Sequence, residues 1–336
     1  MTEVKISLVG YGVVGHGVVE VLERKRQLMR EIGLDLTLVS VTDHTGTYLA
    51  PDGVVAKDIL DHRTLEGVAN SDMAAREVFG SIDCDLVVEV TPTNIVHGQP
   101  GLGHMVDALS MGKHVVTSNK GPLVVDYRRL KDLARKNDVA LKFEATVGGT
   151  MPLISLIERT LVGNTILGIR GIFNGTCNYI LTRMVEEKYP YNHALTEAQE
   201  LGYAEADPSY DVEGVDTAGK VAILANSIFD MDVKYGDVEV TGITGITPEA
   251  LILAHKRGYA VKLIGEVPAL TVKPMLVPLG SPLAVGSTLN AAAIYTDLSG
   301  TITVTGLGAG RIETASAILS DIVSIYRGNH VDILRS

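Results

Sequence analysis

Residues 4–20, VKISLVGYGVVGHGVVE, decide the fold class of this chain. An apolar run typical of a buried strand leads into three glycines, and the apolar pairs that follow have helical spacing. Glycines at such a junction permit a tight turn and the close approach of a pyrophosphate, which the first amides of the helix then bind. A glycine turn without a ligand would use the same residues, but the position between the first strand and the first helix favours a dinucleotide-binding loop. The predicted loop comprises Gly10, Tyr11, Gly12, Val13, Val14 and Gly15.

The rest of the chain extends this pattern. Further strand-like runs, with helical patterns between most of them, occur at residues 34–43, 84–92, 112–119 and 138–146. The alternation predicts an α/β fold in which a Rossmann-type, doubly wound parallel sheet occupies residues 1–145. Helical segments and then renewed β-branched runs follow. They predict a mixed α/β substrate and dimerisation domain over residues 146–305, and a C-terminal helix within residues 306–336 that returns to the nucleotide-binding domain.

Composition excludes several classes of protein. The 336-residue chain has a net charge of -11, which argues against a nucleic-acid partner, because phosphate binding needs concentrated Lys and Arg. Its apolar runs fall short of the roughly 18 residues of a membrane span, and the N-terminus lacks the pattern of a signal peptide. The only cysteines, Cys84 and Cys177, suit a reducing compartment and offer no thiolate metal site. We expect a cytoplasmic protein without a membrane partner.

The second strand-like run ends at Asp43. An acid at this position accepts hydrogen bonds from the adenosine ribose and repels a 2′-phosphate, which favours NAD over NADP. Asp43 could instead merely start a turn. Lys57 and Arg63 follow closely enough to reach a phosphate. The sequence therefore predicts NAD or NADP, with a lean to NAD.

Residues 202–220, GYAEADPSYDVEGVDTAGK, crowd acids into an already acidic chain. The carboxylates belong to Glu205, Asp207, Asp211, Glu213 and Asp216. Their spacing does not fit the alternating ligands of an EF-hand loop, so we do not expect a dedicated divalent site. The remaining interpretations are a solvated acidic loop and a pocket for the ammonium group of a ligand. Asp207 precedes a proline and is expected to shape a turn, and Glu213 is expected to be solvated.

Two lysines are candidates for proton transfer. Lys220 lies one helical turn after Asp216, and the pair could be an exposed ion pair of a few tenths of a kcal/mol. Next to the acidic segment, however, a partly desolvated lysine could exchange a proton near neutral pH. Lys120 follows the strand-like run at residues 112–119, where doubly wound folds bind ligands, although a lysine in a loop is often only solvated.

Taken together, the motifs resemble those of homoserine dehydrogenase. They are GYGVVG (10–15), the segment from TPTN (91–94) to SNKGPL (118–123), EATVGGTMP (144–152), GIFNGTCNYIL (171–181), the acidic segment, and GLGAGRIETASAILSDI (306–322). The resemblance spans almost the whole chain and implies NAD(P)-dependent interconversion of L-homoserine and L-aspartate 4-semialdehyde, which leads to threonine, isoleucine and methionine. It also implies a homodimer.

The resemblance assigns roles to individual residues. It places Glu205 and Asp216 among the homoserine contacts, with Asp211 beside them, and we add Gly202 and Lys120 to the predicted substrate site. The segment TPTN (91–94) follows a strand-like run and is expected to line the nicotinamide side of the cleft, although an ordinary strand-to-helix turn would use the same residue types. The further predicted cofactor contacts are Thr91, Pro92, Thr93, Ser118, Asn119, Lys120 and Gly308. The resemblance also implies that backbone carbonyls can hold a monovalent cation, Na⁺ or K⁺, at Glu144, Val147, Gly149 and Met151.

The chain departs from the family pattern at two places. Arg311 and Glu313 stand where relatives usually have Gly and Pro. Only the short tail GNHVDILRS follows the closing helix, so we do not expect the regulatory ACT domain of longer members or feedback by threonine through it.

The predicted catalytic residues are Lys220, Lys120 and Asp216. We expect Lys220, held by Asp216, to exchange the proton of the substrate hydroxyl, with Lys120 bridging substrate and cofactor, although the sequence does not settle which lysine carries the proton. Two other interpretations remain. One is a reductase of another amino-acid aldehyde on the same scaffold, and the other is a non-catalytic NAD-sensing regulator.

Overall fold

The computed structural model describes residues 1–327; the tail at 328–336, part of the predicted C-terminal segment, lies outside the described residues. The chain divides into two compact units. The first comprises residues 1–146 together with the segment that starts at Gly310, and the second comprises residues 147–309. Both units contain a six-stranded sheet with helices, which confirms the predicted α/β class.

The first unit is built on a mainly parallel sheet. Its elements up to residue 142 are β1 (Thr2–Val9), α1 (Val13–Glu31), β2 (Leu34–Asp43), β3 (Gly46–Leu49), α2 (Ala75–Ser81), β4 (Leu86–Glu89), α3 (Gly101–Ser110), β5 (His114–Thr117), α4 (Lys120–Lys136) and β6 (Leu141–Lys142). The strand order is β3-β2-β1-β4-β5-β6, and only β3 is antiparallel to its neighbour. The order reverses between β1 and β4, which is the point where doubly wound sheets bind ligands.

The strands next to this point, β1 and β4, contribute apolar side chains to the core of the unit. Ile6, Leu8, Leu86 and Val88 are fully buried in one core, as expected for parallel strands that helices cover on both faces. Strands β4, β5 and β6 are shorter than the strand-like runs of the sequence that contain them. The ends of these runs form loops, and a 3₁₀ turn at Glu144–Thr146 follows β6.

The second unit is built on a mainly antiparallel sheet. Its elements are α5 (Leu153–Ser155), which a π-helical turn (Leu156–Thr160) extends, β7 (Ile166–Ile172), α6 (Gly175–Glu186), α7 (Tyr191–Glu200), α8 (Ser209–Val212), α9 (Val215–Ile228), β8 (Glu239–Val240), α10 (Pro248–Lys256), β9 (Tyr259–Val267), β10 (Thr271–Pro278), β11 (Leu289–Thr296) and β12 (Thr301–Leu307). The strand order is β12-β11-β7-β9-β10-β8, and only the short β8–β10 pairing is parallel.

Helix α9 lies in the interior of the second unit. Every residue from Asp216 to Asn226 is buried, including Lys220. A helix that is buried on all sides is a core element, so Asp216 and Lys220 near its start must find partners inside the protein.

Helix α11 (Arg311–Arg327) ends the described chain and belongs to the first unit. Ala315, Ile318 and Ile322 join the apolar core beneath α1. The two helices approach so closely that a Cβ atom on Gly17 would collide with the Arg311 carbonyl oxygen. Over residues 1–327, the helices are all too short or too polar to cross a membrane.

Candidate active site

The glycine loop after β1 has the geometry of a phosphate cradle. Gly10 adopts φ +105° and packs so closely on the end of β4 that a Cβ atom would lie 2.6 Å from the Val90 carbonyl carbon. A Cβ atom on Gly15 would collide with the Gly10 carbonyl oxygen, whereas one on Gly12 would meet no atom of the described chain within 4 Å. Gly12 precedes α1 without a side-chain cap, so the first amides of the helix are left for a ligand. The loop therefore fits a pyrophosphate, and its three glycines serve different purposes.

The other predicted residues of this loop differ in exposure. Tyr11 is buried, and its hydroxyl donates to the Ile59 carbonyl (2.7 Å), which connects the loop to the segment around Ile59. Val14 is half-buried and packs against the core of the unit. Val13 is 69 % exposed at the start of α1, as expected for a residue that faces a ligand or solvent.

Asp43 is the last residue of β2, and its carboxylate organises the following loop. Oδ1 accepts hydrogen bonds from the amide (2.7 Å) and hydroxyl (2.6 Å) of Thr45, and Oδ2 accepts one from the Leu65 amide (2.9 Å). Burial opposes ionisation, but these hydrogen bonds outweigh it and hold the pKa of Asp43 below its usual value. Asp43 therefore shapes a turn and is also an ionised acceptor at the position expected for ribose recognition, so the two interpretations are compatible.

The loops after β4 and β5 meet at Glu89, a fully buried carboxylate that the sequence did not single out. Glu89 Oε1 accepts hydrogen bonds from the Thr91 amide (3.1 Å) and hydroxyl. Asn119 Nδ2, from the second loop, donates to Thr91 Oγ1 (3.2 Å) and to the Pro92 carbonyl (3.5 Å). The Ser118 amide lies 3.4 Å from the Glu89 carbonyl oxygen, and Thr93 is exposed. Most of the predicted cofactor contacts in these loops thus belong to one network.

Lys120 is the first residue of α4 and is half-buried, so it begins a helix instead of lying in a loop. Asn119 caps this helix, because its Oδ1 accepts a hydrogen bond from the Gly121 amide (3.1 Å). The turn packs tightly on the loop after β4, since a Cβ atom on Gly121 would collide with the Asn94 carbonyl oxygen. The backbone that carries Lys120 is therefore fixed.

In the second unit, Lys220 and Asp216 form a buried ion pair on α9. Lys220 Nζ lies 2.6 Å from Asp216 Oδ2, and both residues are less than 10 % exposed. Nζ also donates to the Phe173 carbonyl (2.5 Å), at the end of β7. The pair is therefore not the exposed surface pair that helical spacing alone would allow, and loss of one partner would leave an uncompensated buried charge.

Asn174 connects this ion pair to Asp211. Its Nδ2 donates to Asp211 Oδ1 (2.7 Å) and to Asp216 Oδ2 (3.0 Å). Its Oδ1 accepts from the Cys177 amide (2.8 Å), so the same side chain caps α6. We call Asn174, Asp211, Asp216 and Lys220 the acid–lysine cluster.

The acid–lysine cluster brings the carboxyl groups of Asp211 and Asp216 together beside Lys220. Burial and the nearby Asp216 carboxylate raise the pKa of Asp211, although Asn174 and Lys220 act in the opposite direction. A second cation beside the cluster would stabilise the ionised form of Asp211. Such a site suits a ligand that carries an ammonium group.

The predicted residues Glu205 and Gly202 are exposed and precede α8. Gly202 adopts φ +75°, which favours glycine, and the Glu205 carbonyl accepts a hydrogen bond from Gln199 Nε2 (3.0 Å). Asp207 Oδ1 accepts from the Ser209 amide (3.1 Å) and so holds the turn, while Glu213 is exposed.

Three of the predicted cation ligands, Val147, Gly149 and Met151, lie in the second unit, and Glu144 lies in the first. Gly149 adopts φ +61° and packs on Gly308, leaving no room for a Cβ atom at Gly149. Residues 1–327 contain no group of three or more His, Cys, Asp or Glu side chains placed to hold a metal ion.

Gly308 and the family departures lie near the end of the chain. A Cβ atom on Gly308 would collide with the Asn290 amide, so packing alone requires glycine there. Arg311 forms an ion pair with Glu20 of α1 (2.6 Å), and the Glu313 carboxylate folds back onto Gly310. Arg311 thus anchors α11 to the helix that follows the glycine loop.

Sequence reasoning missed Asn174, the Phe173 carbonyl and Glu89. Asn174 had a recognisable signal, because an asparagine directly before a helical pattern is a preferred N-cap. Its second function, donation to two acids far along the chain, had no local signal. Glu89 stood inside an apolar run, where an acid almost always has buried partners.

Comparison with known proteins gave consistent matches. Residues 152–323 match the homoserine dehydrogenase family, and residues 10–144 match the family described as homoserine dehydrogenase, NAD binding domain. A homoserine dehydrogenase of Methanocaldococcus jannaschii is 47 % identical, over 96 % of this chain and 98 % of that protein. An NAD(+)-dependent homoserine dehydrogenase of Pseudomonas canavaninivorans is 38 % identical, over 97 % of each. A crystal structure of a putative homoserine dehydrogenase of Archaeoglobus fulgidus superposes with a TM-score of 0.90 at 49 % identity, over 96 % of this chain and 99 % of that one.

Proposed function

The chain belongs to the homoserine dehydrogenase family, and we propose that Lys220 of the acid–lysine cluster transfers the proton in its reaction. The protein is an NAD(P)-dependent oxidoreductase that interconverts L-homoserine and L-aspartate 4-semialdehyde, a step in amino-acid biosynthesis. This assignment is favoured over a non-catalytic NAD sensor and over a reductase of another aldehyde.

The buried ion pair carries the proposal for Lys220. A protonated lysine has three N–H donors, and two of them are directed at Asp216 Oδ2 and the Phe173 carbonyl. These two acceptors fix the direction of Nζ, so the third position can point at the C4 oxygen of the substrate. A proton carrier held in this way needs no rearrangement during the reaction.

When homoserine is oxidised, the neutral Lys220 amine takes the hydroxyl proton while a hydride leaves C4 of the substrate, so the C–O single bond becomes a carbonyl. Bound NAD(P)⁺ supplies the hydride acceptor, at C4 of its nicotinamide. In the reverse direction Lys220 returns its proton to the aldehyde oxygen. Asp216 stabilises the ammonium form of Lys220 that oxidation produces.

We assign Asp211 and Asp216 to recognition of the substrate ammonium group. The raised pKa of Asp211 supports this role, because a bound ammonium would offset the repulsion between the two carboxylates. Glu205 and Gly202, which lie outside the acid–lysine cluster, remain proposed contacts on the basis of the family motif. Lys120 remains the proposed bridge between substrate and cofactor, at a fixed helix start.

The proton role of Lys220 is tested by measuring NAD(P)H formation at 340 nm with L-homoserine. Lys220→Ala should lower kcat by roughly 100-fold or more, the usual contribution of general acid–base catalysis, and added primary amines should restore part of the rate. Lys120→Ala is the comparison variant, in which we expect KM to rise as well as kcat to fall. Near-normal turnover of folded Lys220→Ala would exclude Lys220 from proton transfer. No homoserine-dependent rate with either cofactor in the wild type would contradict the activity itself.

We propose NAD as the preferred cofactor. The support is Asp43, an ionised carboxylate at the end of β2 that would repel the 2′-phosphate of NADP. Asp43→Asn should therefore raise kcat/KM for NADP relative to NAD by about 10-fold, the effect of removing roughly 1.4 kcal/mol of repulsion. If the ratio of kcat/KM for NADP to that for NAD were unchanged, Lys57 and Arg63 would be favoured as the residues that determine cofactor preference.

Three further features stay proposals. We propose a homodimer, supported by the exposed leucines Leu167 (57 %) on β7 and Leu276 (60 %) on β10, and sedimentation of a monomer at micromolar concentration would refute it. A monovalent cation held by backbone carbonyls of Glu144, Val147, Gly149 and Met151 should make activity depend on Na⁺ or K⁺. Assays in which tetramethylammonium replaces both ions would reveal this dependence. A cytoplasmic location stays a prediction from cysteine content.

A further inference from the structure

We infer that Glu89 is a positioning residue for the nicotinamide half of the cofactor. It is the last residue of β4, in the middle of the first sheet, and is 0 % exposed. A buried carboxylate is costly unless it is hydrogen-bonded, so its presence at the carboxyl edge of the sheet requires a purpose.

The carboxylate fixes the loop that begins at Thr91. Glu89 Oε1 accepts hydrogen bonds from both the amide and the hydroxyl of Thr91. The Thr91 hydroxyl, with its proton committed to Glu89, presents a lone pair to Asn119 Nδ2 (3.2 Å). Because Glu89 Oε1 accepts both hydrogen bonds from Thr91, it sets the direction of this chain of hydrogen bonds.

Glu89 also contacts the strand that leads to Lys120. The Thr117 hydroxyl donates to the Glu89 carbonyl (2.8 Å) and lies 3.4 Å from Oε2, and it accepts from the Asn119 amide (2.9 Å). Asn119 in turn caps the helix that Lys120 begins. One side chain thus connects the two loops that follow β4 and β5.

Tight packing transmits this constraint to the phosphate cradle. A Cβ atom on Gly10 would lie 2.8 Å from the Thr91 nitrogen, and one on Gly101 of α3 would lie 2.5 Å from Asn119 Nδ2. His104, on the same helix, places Nδ1 3.6 Å from Glu89 Oε1. The loops around Glu89 therefore cannot move independently, and loss of the carboxylate should release the loops at 91–94 and 118–120 without changing the ribose end at Asp43.

This inference rests on the proposed function and on the prediction that the loop at residues 91–94 lines the nicotinamide side of the cleft, with Lys120 bridging substrate and cofactor. The test compares binding of NADH, followed by its fluorescence, with binding of ADP-ribose, which lacks the nicotinamide, followed by calorimetry. In Glu89→Ala we expect at least a 10-fold weaker Kd for NADH and a Kd for ADP-ribose within 2-fold of the wild type. Glu89→Gln, which keeps an acceptor oxygen, should recover most of the NADH affinity.

Controls separate positioning from a loss of structure. Thr91→Val removes the hydroxyl link alone and should show the same selective loss, which keeps the inference testable if Glu89→Ala does not fold. Ser40→Ala breaks another buried hydrogen bond of the same sheet, which Ser40 Oγ donates to Ser7 Oγ (2.7 Å), and should change neither Kd. Equal weakening of both ligands in the Glu89 and Thr91 variants, or no change in either ligand, would overturn the inference. Failure of the wild type to bind NADH or NAD would instead contradict the proposed function.

Discussion

Lys262 on β9 offers the sharpest test of the energetics of the second unit. This lysine is 5 % exposed, and its Nζ donates to Asn178 Oδ1 (2.7 Å), a neutral partner. Burial lowers its pKa from 10.5 to about 8, an effect that the charge of Glu186 only partly opposes. The difference corresponds to about 3 kcal/mol of free energy that the folded protein loses when Lys262 is protonated.

The sign of the pH dependence follows from the two pKa values. Between about pH 8 and 10.5 the unfolded state holds more protons at this residue than the folded state, so the free energy of unfolding rises with pH. Below about pH 8 Lys262 is protonated in both states, and the loss of about 3 kcal/mol in the free energy of unfolding is constant. Lys262→Met does not suffer this loss, but Asn178 Oδ1 lacks its donor, which costs about 1 kcal/mol. We expect Lys262→Met to be more stable than the wild type by about 2 kcal/mol at pH 7.

The assay is urea unfolding of wild type and Lys262→Met from pH 7 to 10.5, at one protein concentration. The stability difference should shrink by about 3 kcal/mol across this range and change sign near its upper end. Lys256→Met, at the exposed end of α10, is the matched control, and its free energy of unfolding should change with pH as that of the wild type does. If the free energies of unfolding of wild type and Lys262→Met changed with pH in the same way, the lowered pKa of Lys262 would be refuted.

Three further predictions concern the site. Gly12→Ala should keep the thermal unfolding temperature within about 2 °C but weaken NAD binding at least 10-fold, because its Cβ would occupy only ligand space; an unchanged Kd would contradict the cradle. Gly15→Ala should instead lower the unfolding temperature by several degrees, because its Cβ would collide with backbone, and calorimetry would show this. Asn174→Ser keeps a capping oxygen but lacks the Nδ2 amide that donates to both acids, so KM for homoserine should rise about 10-fold in steady-state kinetics; equal KM values would exclude Asn174 from substrate recognition.

The local features of this protein were readable in its sequence. The glycine loop could be predicted because a strand, a tight turn and a helix N-terminus are set by neighbours in the chain. The pairing of Asp216 with Lys220 followed from helical spacing, since residues four apart lie on one face. The sequence also indicated the acids, and its motifs together identified the family.

Tertiary structure decided which of these residues act together. Whether Asp216 and Lys220 form a buried or an exposed pair depends on the burial of α9, which no local pattern specifies. Asn174 reaches Asp211 and Asp216 across 37 and 42 residues of chain, and Glu205 stays exposed although it lies closer to Asp211 in sequence. The Thr117 hydroxyl donates to the Glu89 carbonyl, although the two residues are 28 apart in the chain and lie on adjacent strands. Hydrogen bonds and desolvation act over a few ångströms of space, whereas sequence records distance along the chain, so these contacts exist only once the sheets have formed.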